Sequence, residues 1–284
     1  MATLKRMKRG FAWYGLIGIL LIVLTQLNFF FKVEPFASWY FPIIWAGYIL
    51  AIDSLVYKLK GNSLITSRFG TFLGMLLISA FFWWIFEFVN ISIQNWAYAG
   101  TNTLGMRKNL FGTLSFSTIV PALFETVELI RAIHLFESRT LNKKHSISKA
   151  MLHGMTIAGI LCFILPFILP AFTFPLVWLS FFLLLDPINY IHRQPSIIQH
   201  LKDRKLAIPL SLLLAGILLG FLWEFWNYQA IVKWTYTIPF VGFFKIFEMP
   251  VLGYLGYFPF AFELYTMYWF VRSLFVHKEH ILID

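Results

Sequence analysis

Leu222-Trp223-Glu224-Phe225-Trp226-Asn227-Tyr228 places a carboxylate and an amide within one of the most apolar parts of an apolar chain. An ionisable side chain in a membrane span is costly and marks a functional position by default. The stretch has a twin, Trp84-Ile85-Phe86-Glu87-Phe88-Val89-Asn90, with the same Glu-Phe-x-Asn core. Residues i and i+3 share a helix face, so each Glu points the same way as its Asn.

The surrounding composition says what kind of chain carries these motifs. Of 284 residues, 59% are hydrophobic and 13% charged, with 33 Phe and 11 Trp. Soluble domains carry about 25% charged residues. Apolar helices of roughly 20 residues, each long enough to cross a bilayer, account for the difference. Eight spans can be drawn, at 11–31, 39–57, 69–90, 110–135, 150–170, 174–191, 206–228 and 251–275. The expected fold is an all-α polytopic membrane protein.

The net charge of +10 is read as positive-inside topology rather than as a nucleic-acid footprint. With the N-terminus inside, 18 of the 23 Lys and Arg fall on cytoplasmic segments, and Lys32, Arg107, Lys108, Lys233 and Lys245 fall outside. Both termini are then cytoplasmic, and the location is the cell membrane. The apolar run 11–31 after Lys5-Arg6-Met7-Lys8-Arg9 is too long for a typical signal peptide and is read as the first span. The single cysteine, Cys162, excludes an intrachain disulfide.

The two halves of the chain repeat. Pro42, Trp45, Asp53, Tyr57 and Ser63 recur as Pro175, Trp178, Asp186, Tyr190 and Ser196, at an offset of 133. Glu87, Phe88 and Asn90 recur as Glu224, Phe225 and Asn227 at 137. Trp96, Tyr98, Pro121, Phe124 and Glu125 recur as Trp234, Tyr236, Pro259, Phe262 and Glu263 at 138. The expected organisation is a four-span repeat over 1–136, a cytoplasmic linker over 137–149 and a second four-span repeat over 150–284. An even number of spans inserts both halves the same way up, related by a pseudo-twofold axis along the membrane normal.

The duplicated polar residues are the candidate site. Counting 1.5 Å per residue from the inner ends of their spans puts Glu87 and Glu224 about 27 Å along, in the outer third of the membrane. Glu263 falls nearer mid-depth. Asp53 and Asp186 fall at inner span ends and are expected to be interfacial, beside basic neighbours. Asn90 and Asn227 also suit hydrogen-bonded contacts between helices. Trp96-x-Tyr98 and Trp234-x-Tyr236 follow each outer span end, with 23 residues from Tyr to Pro in both halves. That fixed distance implies loops that fold back in a set way. Ile238 to Met249, rich in Phe, reads as a short amphipathic segment in the outer interface.

No metal site stands out, since the chain has no His-x-x-x-His pair or paired Cys. His145, His192, His200, His277 and His280 fall in cytoplasmic segments. Nucleotide fingerprints are absent too, and no cofactor is expected.

The order of these features resembles the lycopene cyclase domain of the small integral-membrane, heterodimer-type carotenoid cyclases. A span ends in an acid, the next ends in an aromatic-rich acid motif, a Trp-x-Tyr loop follows, and then a span carries Pro shortly before Glu. The membrane terpene cyclases are similar in relying on intramembrane carboxylates. The resemblance covers 39–135 and 174–275. The family's Pro-x-Glu-Glu motif is spaced differently here, with Pro121 and Pro259 four residues before Glu125 and Glu263. The second acid is displaced to Glu128 in one half and stands as Thr266 in the other, and each half has an extra leading span.

The resemblance implies an enzyme that cyclises or isomerises a hydrophobic isoprenoid by protonating a carbon–carbon double bond. That chemistry needs a carboxylic acid, π-faces to stabilise a carbocation, and little water. Glu224 is the expected acid, oriented by Asn227, with Glu263 as partner or base. Glu87, Asn90 and Glu125 form the equivalent set. Trp223, Trp226, Tyr228, Trp84, Trp234, Tyr236, Trp96 and Tyr98 would line the substrate. A proton-coupled transporter or a lipid-binding membrane protein answers to the same features, as does a structural partner of an enzyme complex.

Overall fold

The structure is a computed structural model and describes residues 10–143 and 146–275. Lys5, Arg6, Lys8, Arg9, Lys144 and Lys278 of the charge count, and His145, His277 and His280, lie outside the described residues.

The chain is all-α. In order it forms α1 (Trp13–Phe31), α2 (Tyr40–Lys60), α3 (Leu64–Ser67) and α4 (Phe69–Ile93). Strand β1 (Trp96–Ala99) and a 3-10 turn (Thr101–Arg107) lead to α5 (Lys108–Ser117) and α6 (Ile119–Ala132). Then come α7 (Lys149–Ile168), α8 (Pro170–Thr173), α9 (Val177–Ile191), α10 (Ile197–Lys202) and α11 (Ala207–Gln229). Strand β2 (Lys233–Tyr236), the two-residue strands β3 (Lys245–Ile246) and β4 (Met249–Pro250), a 3-10 turn (Val251–Gly256) and α12 (Tyr257–Phe275) complete it.

Among the described residues, seven helical segments are long and apolar enough to cross a membrane, as expected of a multi-pass membrane protein. They are α1, α2, α4, the α5–α6 segment, α7, the α8–α9 segment and α11. The last helix, α12, is less apolar because it carries Glu263, Arg272 and several Tyr and Trp. Its middle, from Phe260 to Trp269, is largely enclosed by protein.

Lipid tails are as apolar as leucine, so helices associate in a bilayer through close packing and polar contacts. The α1–α2 contact shows this directly. Cβ atoms are absent at Gly18 and Gly47, which face one another, and one built on Gly18 would lie 2.6 Å from the Gly47 carbonyl. α1 packs on α2 and α7 on α9, while α2 packs on α6 and α9 on α12. α6 meets α11, and α4 meets α12, between the halves.

The stretch 110–135, expected as one span, is two helices that meet at Thr118. Pro121 removes one backbone donor. The Ser79 hydroxyl also inserts into the ladder, donating to Phe116 O at 2.6 Å and accepting from Val120 N–H at 3.0 Å. Phe116 and Val120 are the i and i+4 groups that would otherwise bond to each other, so the side chain replaces a rung.

Candidate functional site

The two Glu-Phe-x-Asn motifs occupy the ends of α4 and α11. In both, the amide docks the following strand. Asn90 Nδ2 donates to Trp96 O at 2.8 Å, and Asn90 Oδ1 accepts from Asn95 N–H and Trp96 N–H at 2.9 and 3.3 Å. Asn227 Nδ2 donates to Trp234 O at 2.8 Å, and its Oδ1 accepts from Trp234 N–H at 2.8 Å. Each amide thus pairs with a Trp peptide group as another backbone would. Neither bonds to its Glu, so any orientation of Glu224 by Asn227 is indirect. The amide fixes the loop that delivers the partners of the carboxylate.

Those partners include a phenol from each loop. Glu87 Oε1 accepts from Tyr98 OH, from Trp96 Nε1 at 3.0 Å and from Trp83 Nε1 at 2.9 Å. Glu224 Oε1 accepts from Tyr236 OH and Tyr257 OH, both at 2.7 Å. Trp234 Nε1 donates in turn to Tyr236 OH at 2.7 Å. Burial first, and then the adjoining carboxylate, push the Tyr98 and Tyr236 phenols well above their ordinary range, so both remain donors.

Tyr257 has no counterpart in the repeat and escaped the sequence reading. In the first half Trp83, four residues before Glu87, supplies a donor. Four residues before Glu224 stands Gly220, where an added Cβ would strike the Tyr257 ring. The missing side chain admits Tyr257, whose hydroxyl takes the place of the Trp83 indole.

The remaining oxygen of Glu224 is of a different kind. Glu224 is wholly buried, and its Oε2 has no hydrogen-bond partner. Glu87 is only half-buried. Around Glu224 the surfaces are aromatic. Trp223 packs on Tyr257 at 5.8 Å and on Phe260 at 5.9 Å between ring centroids. Phe260 also touches Trp83, Phe86 and Trp178 at 6.1, 6.2 and 5.4 Å, which connects the surroundings of both carboxylates.

The strands that carry the phenols pair with each other. β1 and β2 are antiparallel, with Trp96 opposite Tyr236, Ala97 opposite Thr235 and Tyr98 opposite Trp234. The loops do fold back in a set way, each onto its own helix end and onto the other loop.

The other carboxylates hold separate places. Glu263 Oε1 accepts from Phe181 N–H at 2.8 Å and Ser180 Oγ at 3.3 Å, which ties α12 to the start of α9, while its Oε2 is buried without a partner. It shares no hydrogen-bond partner with Glu224. Glu125 is buried against Asp53. Neighbouring Glu128 pairs with Lys60 and lies 3.6 Å from Arg68.

Asp53 and Asp186, expected at inner span ends beside basic neighbours, are both wholly buried within the protein. Asp53 accepts from Tyr14 OH, Ser63 Oγ and Ile65 N–H, at 2.5, 2.8 and 2.8 Å. Asp186 accepts from Ile197 N–H and Ile198 N–H at 2.8 and 2.9 Å. Each holds the first turn of a short helix, α3 or α10, whose N-cap is Ser63 or Ser196. Sequence reading missed this bond although the Asp–Ser spacing recurs in both halves. No residue type announces a helix cap supplied from ten residues upstream.

The expected substrate aromatics divide. Trp223, Trp226 and Trp96 are buried, and Trp234, Tyr236 and Tyr98 are half-buried around the carboxylates. Trp84 faces outward, with its indole on Thr113. Tyr228 is also exposed, against Lys233 and Phe247. These two do not line the site. The stretch from Ile238 to Met249, expected as a short amphipathic segment, forms turns and a small hairpin, β3–β4, and Lys233 pairs with Glu248 beside it at 2.6 Å. Among the described residues no group of three His, Cys, Asp or Glu is placed to hold a metal ion.

Two predictions arise from these contacts. Asn227→Ala leaves Trp234 N–H and C=O without partners in a half-buried loop and should cost about 1–3 kcal/mol, read as a lower unfolding midpoint in detergent. The second concerns His200 on α10, whose ring bonds to Tyr265 OH at 3.0 Å. Burial first, and then Arg131, hold its pKa down from 6.5 to about 4. As pH falls below 6.5 the unfolded chain takes up this proton and the folded chain does not. The His200 contribution is therefore complete above that pH and is lost as pH falls toward 4. Thermal melts from pH 7 to 4 should show a steeper decline for the wild type than for His200→Gln.

The chain matches no protein-family model, no curated protein and no solved structure.

Proposed function

We propose that the chain is an integral-membrane isomerase that cyclises a lipid-soluble isoprenoid, with Glu224 as the acid that protonates a carbon–carbon double bond. The observation that carries this reading is the Glu224 carboxyl itself. One oxygen is held by two tyrosine hydroxyls, and the other is buried without a partner among Trp223, Tyr257 and Phe260. A carboxyl group so placed can direct a proton at an apolar substrate, and the rings offer faces to the resulting cation. A neighbouring double bond attacks the cation and closes a ring, and the new cation loses a C–H proton to the Glu224 carboxylate, which restores the acid. No bound metal or redox group enters this balance. The resemblance to the lycopene cyclase domain supports the same class.

In this reading the chain crosses the membrane eight times, as two parallel four-span units over 1–136 and 150–284 with both termini cytoplasmic. The register of β1 and β2 supports it. Trp96 and Tyr98 pair with Tyr236 and Trp234, the repeat equivalents of Tyr98 and Trp96, as a twofold axis through Ala97 and Thr235 requires. The helix contacts are reciprocal as well. Trp45 of the first half packs on Trp223 of the second at 5.6 Å, and its equivalent Trp178 packs on Phe86, the equivalent of Trp223, at 5.3 Å. The basic-residue count supports the orientation.

A second reading, proton-coupled transport, has one observation in its favour. Glu125 is buried, has no hydrogen-bond donor on either oxygen, and borders a small cavity shared with Arg68 and Glu128. The experiment that separates the readings is product formation by the purified protein in detergent. Turnover with no gradient supports the isomerase. Gradient-driven uptake into vesicles without conversion, lost in Glu125→Gln, supports the carrier.

A further inference from the structure

At the end of the bundle that carries β1 and β2, a cavity of about 170 Å³ opens between α1, α2 and the end of α11. Its polar lining comes from Asn28, Lys32, Tyr40 and Gln229. The volume is below the ~300–1,000 Å³ of pockets that enclose a drug-sized ligand, so it suits the end-group of a longer molecule.

The polar groups are set for an anion. Tyr40 is 2% exposed and gives its hydroxyl chiefly to Gln229 Oε1 at 2.6 Å, with Gln26 Oε1 at 3.2 Å, which leaves the Gln229 amide nitrogen as a donor. Lys32 stands just past the end of α1, where its own N–H closes on Asn28 O at 2.8 Å. It forms no ion pair among the described residues. Glu34, two residues on, turns its carboxylate to Ser38 instead, at 2.7 Å from the hydroxyl. The apolar part of the ligand also has a place. Ile17, Leu20 and Leu24 recur at helical spacing below Asn28, and all three are exposed.

We infer that this cavity binds the phosphate group of a membrane lipid, with Lys32 and the Gln229 amide as donors and the hydrocarbon chain along the Ile17–Leu20–Leu24 stripe. The end of a membrane span is where lipid phosphates lie, and a charge-assisted bond from an ammonium is among the stronger ones available there. The inference stands apart from the chemistry at Glu224, although Gln229 is only about 7–8 Å further along the same helix.

The test uses the full-length protein, delipidated in a non-ionic detergent that carries no phosphate, with native mass spectrometry as the readout. Phosphatidylglycerol should add as one retained molecule per chain. Lys32→Gln should weaken that binding by about 10-fold or more, with an unchanged melting temperature. Gln229→Leu should weaken it as well. Retention by Lys32→Gln equal to wild type would overturn the assignment. So would displacement of the phosphatidylglycerol by inorganic phosphate at similar concentration, since the site would then belong to a soluble anion.

Discussion

Glu224→Gln should abolish turnover while leaving the protein folded. The substitution is isosteric, and the amide oxygen can still accept from Tyr236 and Tyr257, which hold the carboxylate at 2.7 Å. The proton that the reaction needs is gone. General acid catalysis contributes about 10²–10⁴-fold, and the loss should fall in that range or exceed it. Glu87→Gln is the internal comparison. Its carboxylate meets three donors and is half-buried, with the Trp83 and Trp96 indoles and the Tyr98 phenol all on one oxygen. We expect that variant to retain most of the activity. Equal losses in both would assign the chemistry to both halves, and wild-type turnover in Glu224→Gln would remove Glu224 from the mechanism.

The second large effect should come from Phe260. Its ring is 5% exposed and touches rings on α4, α9, α11 and α12. Truncation to Ala leaves a void between the two halves that neither lipid nor water can easily fill. Large-to-small changes of this kind cost about 3–5 kcal/mol in well-packed interiors. In a bilayer the lost dispersion contacts remain even where the transfer from water does not apply. The expected result is a marked fall in the unfolding midpoint in bicelles, with Phe260→Leu less affected. A loss below about 1 kcal/mol would mean that the halves are joined elsewhere.

Much of this was legible from residue order. Helical spans announce themselves by composition, and those drawn from the sequence agree with the observed helices to within a few residues, apart from the break at Thr118 and the last span, whose first six residues form a 3-10 turn before α12 begins at Tyr257. The duplicated Glu, Asn, Trp and Tyr pointed to the motif that the structure assembles, because residues kept at matching offsets carry geometry with them. The misses share a cause. Asp53 and Asp186 were read from their place at span ends beside basic residues, whereas their partners include backbone N–H groups of a helix ten residues on. Tyr257 stands where the first half has Ile119, so comparison of the halves gave no hint of it. Its access depends on Gly220, a position whose meaning is an absent side chain. Residue order does not fix which face of α12 carries Glu263, and that face meets α9.

The measurement that tests the central claim most directly is the mass of the product formed in deuterated water. An isoprenoid-accumulating host expressing the wild-type chain should yield a lipid isomeric with its precursor, carrying one solvent deuterium on carbon for each ring closed, and the Glu224→Gln host should lack it. An unchanged lipid profile, or a product without deuterium, would contradict proton-initiated cyclisation at this site.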